Sequence, residues 1–98
     1  MSGAIEDAIT QLKQSKATTS CSELTQMLED FGFEVRGAGS AGHKVYVHDG
    51  LPDFLSSSYD CGHGTNSTVK PCYIQNVIRV LKQQKQGLVK YLQQEGRL

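Results

Sequence analysis

The side chains best able to do chemistry near neutral pH are three histidines, His43, His48 and His63, and three cysteines, Cys21, Cys61 and Cys72. These are the atoms that zinc prefers, but their spacing does not suit it. No Cys-x-x-Cys or His-x(3–5)-His pair is matched by a second one, and the run CGH at residues 61 to 63 offers two ligands at most. A zinc protein therefore ranks low, and no metal or other cofactor is expected. A cysteine nucleophile is no better supported. None of the three thiols stands in a glycine turn beside basic residues, the setting that would stabilise a thiolate, and Cys72 is expected to be buried near a helix start.

The glycine-rich run GAGSAG, residues 37 to 42, resembles a phosphate cradle, yet it precedes a strand-like segment and no Gly-Lys-Ser/Thr follows, which argues against a nucleoside triphosphate. Its backbone amides, around Gly39, Ser40 and Gly42, suit a single phosphate of a polynucleotide, with Arg36 and Lys44 beside it. His43 emerges from this turn and begins the strand, which makes it the best-placed acid or base. An imidazole there can take the proton of an RNA 2′-hydroxyl, which then attacks its own phosphate without a metal or a covalent enzyme intermediate. His48 and His63 are weaker candidates.

The elements that must hold these groups follow from periodicity. Ile5, Ala8, Ile9 and Leu12 predict a short helix over 4–14, read as an accessory to the core of the domain. Ser20 and Glu23 form a capping-box pattern, so a second helix is expected over 21–31, stopped by Gly32. FEVRG and HKVYVH alternate and predict a hairpin, and YDCGHG predicts a short, weak third strand. Pro71 opens a long amphipathic helix through Ile74, Val77, Ile78, Leu81, Leu88, Tyr91 and Leu92, with an interruption expected at Gly87. Alternation puts His43, Val45 and Val47 on one face of their strand and Lys44, Tyr46 and His48 on the other. If the valines face the helices, the second set forms an open surface able to pair with phosphate and stack a base. The expected class is α+β, a small three-stranded antiparallel sheet with helices on one face.

Ninety-eight residues make one domain with one modest core. We divide it into an N-terminal helix and linker (1–19), a core (20–86) and a helical extension (87–98). Ten basic and ten acidic side chains give no net charge, so any polyanion contact must be a local patch. Charge is unevenly spread. Residues 1–35 carry Lys13 and Lys16 against six carboxylates, whereas residues 70–98 carry six cations against Glu95 alone. No secretory leader or long apolar run is present, and three cysteines are an odd number. Both features lead to the expectation of an unexported, cytoplasmic protein with free thiols.

The segments SELTQMLEDFGFEVRGAGSAGHKVYVHDGL and GHGTNSTVKPCYIQNVIRVLKQ, together about residues 20 to 85, resemble the HicA (YcfA-like) family of toxin ribonucleases. The shared marks are a helix ending in GFEVR, a glycine/serine turn leading to a histidine at a strand start, a later GHG, and KP opening the last helix. The resemblance implies a double-stranded-RNA-binding-like fold and metal-independent cleavage of mRNA that inhibits translation and growth. It also implies a monomer when free, which a HicB-like antitoxin neutralises in a hetero-oligomer. The family's catalytic histidine carries over to His43, and its later histidine-glycine segment to His63 and Gly64. One departure is that Ala41 and Gly42 separate Ser40 from His43. RNA contacts are expected from Arg36, Gly39, Ser40, Gly42, Lys44, His63, Lys70 and Arg79. The alternative is a non-catalytic RNA- or protein-binding module on the same fold.

Overall fold

Ser20 and Glu23 start a helix as their spacing predicts. The Glu23 backbone N–H donates to Ser20 Oγ (3.2 Å) and the Ser20 N–H donates to Glu23 Oε1 (2.9 Å), so two of the free donors at the helix start are satisfied at once. In a computed structural model that describes residues 3–37, 42–62 and 67–96, the chain runs through seven elements. They are α1 (Gly3–Gln14), α2 (Cys21–Asp30), β1 (Glu34–Gly37), β2 (His43–Val47), β3 (Ser57–Asp60), α3 (Pro71–Gln83) and α4 (Lys85–Gln94). The strands form one antiparallel sheet in the order β1-β2-β3. The α+β class therefore holds.

The helices cover one face of the sheet, and among the described residues no helix lies over the other, here called the open face. Tyr46 and Tyr59 are fully buried beneath the helices, in an aromatic group with Phe33 and Phe54. By alternation Val35, Lys44 and Ser57 share that covered face. The opposite face carries Glu34 and Arg36 from β1, His43, Val45 and Val47 from β2, and Ser58 and Asp60 from β3. Of the two orientations that alternation allows, β2 takes the one opposite to valines facing the helices. Tyr46 and His48 go inward, and the valines go outward and stay only half-buried. The larger aromatic surfaces win the core, since a buried ring removes more apolar area from water than a valine does.

Several local expectations need correcting. β3 begins at Ser57, two residues before the predicted segment, and ends at Asp60. The last helix breaks at Gln84 (φ −100°, ψ 8°), three residues before Gly87. Gly87 instead lets the Leu51 side chain approach, because a Cβ there would lie 2.7 Å from Leu51 Cδ2. α1 is no accessory. Ile5 and Leu12 are fully buried in the same core as Leu28, Ile78, Leu81 and Leu88, and Lys85 of α4 pairs with Glu6 of α1.

The cysteines also depart from expectation. Cys21 and Cys61 are joined by a disulfide (Cα–Cα 5.2 Å), and Cys72 is exposed. The bond joins the first residue of α2 to the residue after β3. Backbone bonds from Cys21 N–H to Ser67 O and from Val69 N–H to Thr19 O, both 2.9 Å, fasten the approach to α3 against the same helix start. No helix among the described residues is long and apolar enough to cross a membrane.

Candidate active site

His43 opens β2 on the uncovered face, half-buried. Its placement begins one residue earlier. Gly42 has φ +85°, and a Cβ there would overlap the backbone carbonyl of Gly62, itself at φ +67°. Only a residue without a side chain allows the two chain segments to approach so closely. The Cys61 N–H donates to Gly42 O at 2.7 Å, closing the end of the β2-β3 ladder beside His43.

Across the sheet His43 faces Asp60, and diagonally on the β1 side, opposite Val45 two residues along β2, stands Arg36. Asp60 Oδ1 accepts from the Gly62 N–H at 2.9 Å. Arg36 is paired with Glu34, two residues away on the same strand face. The paired guanidinium holds the Glu34 carboxyl below its ordinary range, and the carboxylate in turn raises the Arg36 value. Both groups are solvent-exposed, so this pair is weak and exchangeable. The uncovered face thus presents, in order across the strands, a cation, an imidazole and a carboxylate.

The other expected residues divide. Lys44 lies on the covered face, opposite Tyr59, and does not share the surface of His43 and Arg36. Lys70 stands at the N-cap position of α3 without a side-chain capping bond, and Arg79 lies nine positions later, about 14 Å along the axis, bonded to Asn76 Oδ1. Asn76 Nδ2 in turn donates to Ser57 Oγ (2.8 Å), so Arg79 belongs to the far end of β3 from Asp60. One patch of Arg36, Lys44, Lys70 and Arg79 is therefore not formed. Gly39, Ser40, His63 and Gly64 lie outside the described residues.

His48 is a structural residue. It is buried, with Gly50 N–H donating to Nδ1 (3.0 Å), which leaves Nε2 to carry the proton and donate to Phe31 O (2.9 Å). Its ring meets Phe33 and Tyr91 edge-on at 4.8 and 4.5 Å.

Asp60 is the residue that sequence reasoning missed. The signal was its position opposite the strand-opening histidine, legible only once β3 is correctly bounded. Among the described residues no three His, Cys, Asp or Glu side chains gather as a metal site. A groove of about 580 Å³ runs between α1 and α2 and is rimmed by Asp7, Glu23 and Asp30, a lining unsuited to a polyanion. Compared with protein-family models, with curated proteins and with solved structures, the chain finds no match.

Proposed function

We propose that the chain is a HicA-like endoribonuclease that cleaves mRNA on the open face of its sheet. The observation that carries this reading is the position of His43, half-buried on that face, opposite Asp60 and diagonal to Arg36. In support, α2-β1-β2-β3-α3 is the element order expected of a double-stranded-RNA-binding-like domain, with the sheet in sequential order.

In this mechanism the phosphodiester lies over β1 and β2. Arg36 exchanges Glu34 for a phosphate oxygen, a favourable swap for a guanidinium that binds phosphate bidentately. His43 takes the proton of the adjacent 2′-hydroxyl. The oxygen attacks phosphorus, the P–O5′ bond breaks, and the 5′-oxygen leaves with a proton from water or from the imidazolium. The products are a 2′,3′-cyclic phosphate and a 5′-hydroxyl. Such acid-base help supplies roughly 100- to 10,000-fold. No step needs a metal.

The same reading includes a HicB-like antitoxin laid over the open face, where half-buried Val45 and Val47 offer apolar contact beside the catalytic group. It also places the protein with mRNA in the cytoplasm. The free-thiol argument for that compartment falls with the Cys21–Cys61 bond.

The test is incubation of the purified protein with an mRNA transcript in excess EDTA, followed by end-group analysis. Cleavage that persists in EDTA and leaves cyclic phosphate termini is expected. An intact transcript, or cleavage that EDTA abolishes, contradicts the proposal.

A further inference from the structure

We infer that Asp60 is the positioning residue of this site, a carboxylate that holds one imidazole N–H of His43 so that the other ring nitrogen faces the substrate. The inference rests on the ribonuclease reading for its catalytic consequence, but the pairing itself stands on backbone geometry.

The register places the two residues directly opposite each other in β2 and β3. Antiparallel pairs are of two kinds, and the Cys61 N–H to Gly42 O bond spans the residues that flank this one. That makes His43–Asp60 a non-hydrogen-bonded pair, the kind in which the Cα atoms come within about 4.5 Å and the side chains lie closest. Both project to the uncovered face, since their neighbours Tyr46 and Tyr59 mark the covered one. The register, and not a bond already made, supplies the proximity, and rotation about the side-chain bonds closes the contact.

Asp60 is also more firmly held than an ordinary strand-end aspartate. Its Oδ1 is engaged by Gly62 N–H, which leaves Oδ2 for the imidazole. The next residue, Cys61, is fixed to α2 through the disulfide. On the other strand Gly42 is pressed against the Gly62 backbone, so neither partner can drift along the sheet. A histidine that works as a base needs one nitrogen free and the other oriented, and a carboxylate anchored on the adjacent strand meets that need. Arg36, on the opposite side of His43, remains available for phosphate, so the two flanking charges do not compete for one task.

The decisive comparison is wild type, Asp60→Asn and Asp60→Glu, each checked for unchanged thermal unfolding. Asparagine keeps the oxygen that accepts from Gly62 N–H, so the turn survives while the charge is lost. Two readouts are taken. In the first, mRNA cleavage by Asp60→Asn is expected to fall at least tenfold in kcat with KM within about twofold, inside the range that a general base supplies, and Asp60→Glu is expected to recover part of the loss. In the second, the 15N shifts of the His43 ring are expected to show one tautomer dominant in wild type and a mixture in Asp60→Asn. Unchanged kcat together with unchanged ring shifts would overturn the inference. If wild type itself does not cleave RNA, the ribonuclease reading fails while the ring shifts still decide the pairing.

Discussion

His43 opens β2 and His48 follows its last residue, an odd spacing of five that sends them to opposite faces. Their environments differ accordingly. His48 satisfies both ring nitrogens within the protein, linking the end of α2 at Phe31 to the turn at Gly50 and packing against Tyr91 of α4. Replacing it with alanine leaves the buried Phe31 carbonyl without its partner and opens a cavity, and each kind of loss costs a few kcal/mol. His48→Ala is therefore expected to lower stability by about 3 kcal/mol, read from the urea midpoint. His43 makes no comparable contribution, so His43→Ala should unfold at nearly the wild-type midpoint. That contrast separates a structural histidine from a chemical one before any activity is measured.

At the level of elements, the site depends on how closely the start of β2 approaches the end of β3. Gly42→Ala puts an alanine at φ +85° and a methyl group against the Gly62 carbonyl. The backbone conformation alone costs roughly 1 to 2 kcal/mol, and the overlap forces the two strand ends apart. Thermal unfolding should fall by several degrees and mRNA cleavage should fall with it, because His43 moves with the backbone. The capping box is expected to be sensitive to acid. Ser20, through its backbone N–H and its hydroxyl, holds the Glu23 carboxyl below its ordinary value, so this contribution is complete above that value and is lost as the pH falls through the lowered one. Glu23→Gln should flatten that part of the stability profile measured by denaturant titration below pH 5. Such local features were legible in the sequence: the Ser20/Glu23 spacing, the alternation of β2 and the Pro71 start each encode structure within a few residues. Which face of β2 would be buried was not, since alternation defines two sets of side chains without saying which one meets the helices. Phe33, Phe54 and Tyr59, distant in sequence, settle it by packing with Tyr46. Gly87 misled for a similar reason, because its role is to admit Leu51 from a remote loop.

For the whole molecule, the Cys21–Cys61 bond spans 40 residues and encloses the entire β1-β2-β3 sheet between its ends. On the chain-entropy account, closing a loop of that length in the unfolded state is worth about 4 kcal/mol. Reduction should therefore lower the unfolding temperature by roughly 15 °C or more in a scan with and without reductant. The pairing was not legible in the sequence, because three cysteines allow three pairs and only the fold brings two together. Asp60 escaped notice for the same reason, as its meaning depends on register. The chain's acidic beginning and basic end also resolve only in three dimensions. The carboxylates of α1 and α2 line a groove between those helices, while Arg36 and His43 share the open face of the sheet. The central claim is that His43, on that open face, cleaves mRNA. It is tested most directly by comparing wild type with His43→Ala on one transcript, at equal and verified folded concentration. Cleavage by wild type and at least a 100-fold loss in the variant are predicted; equal cleavage by both proteins, or none by either, would contradict the account.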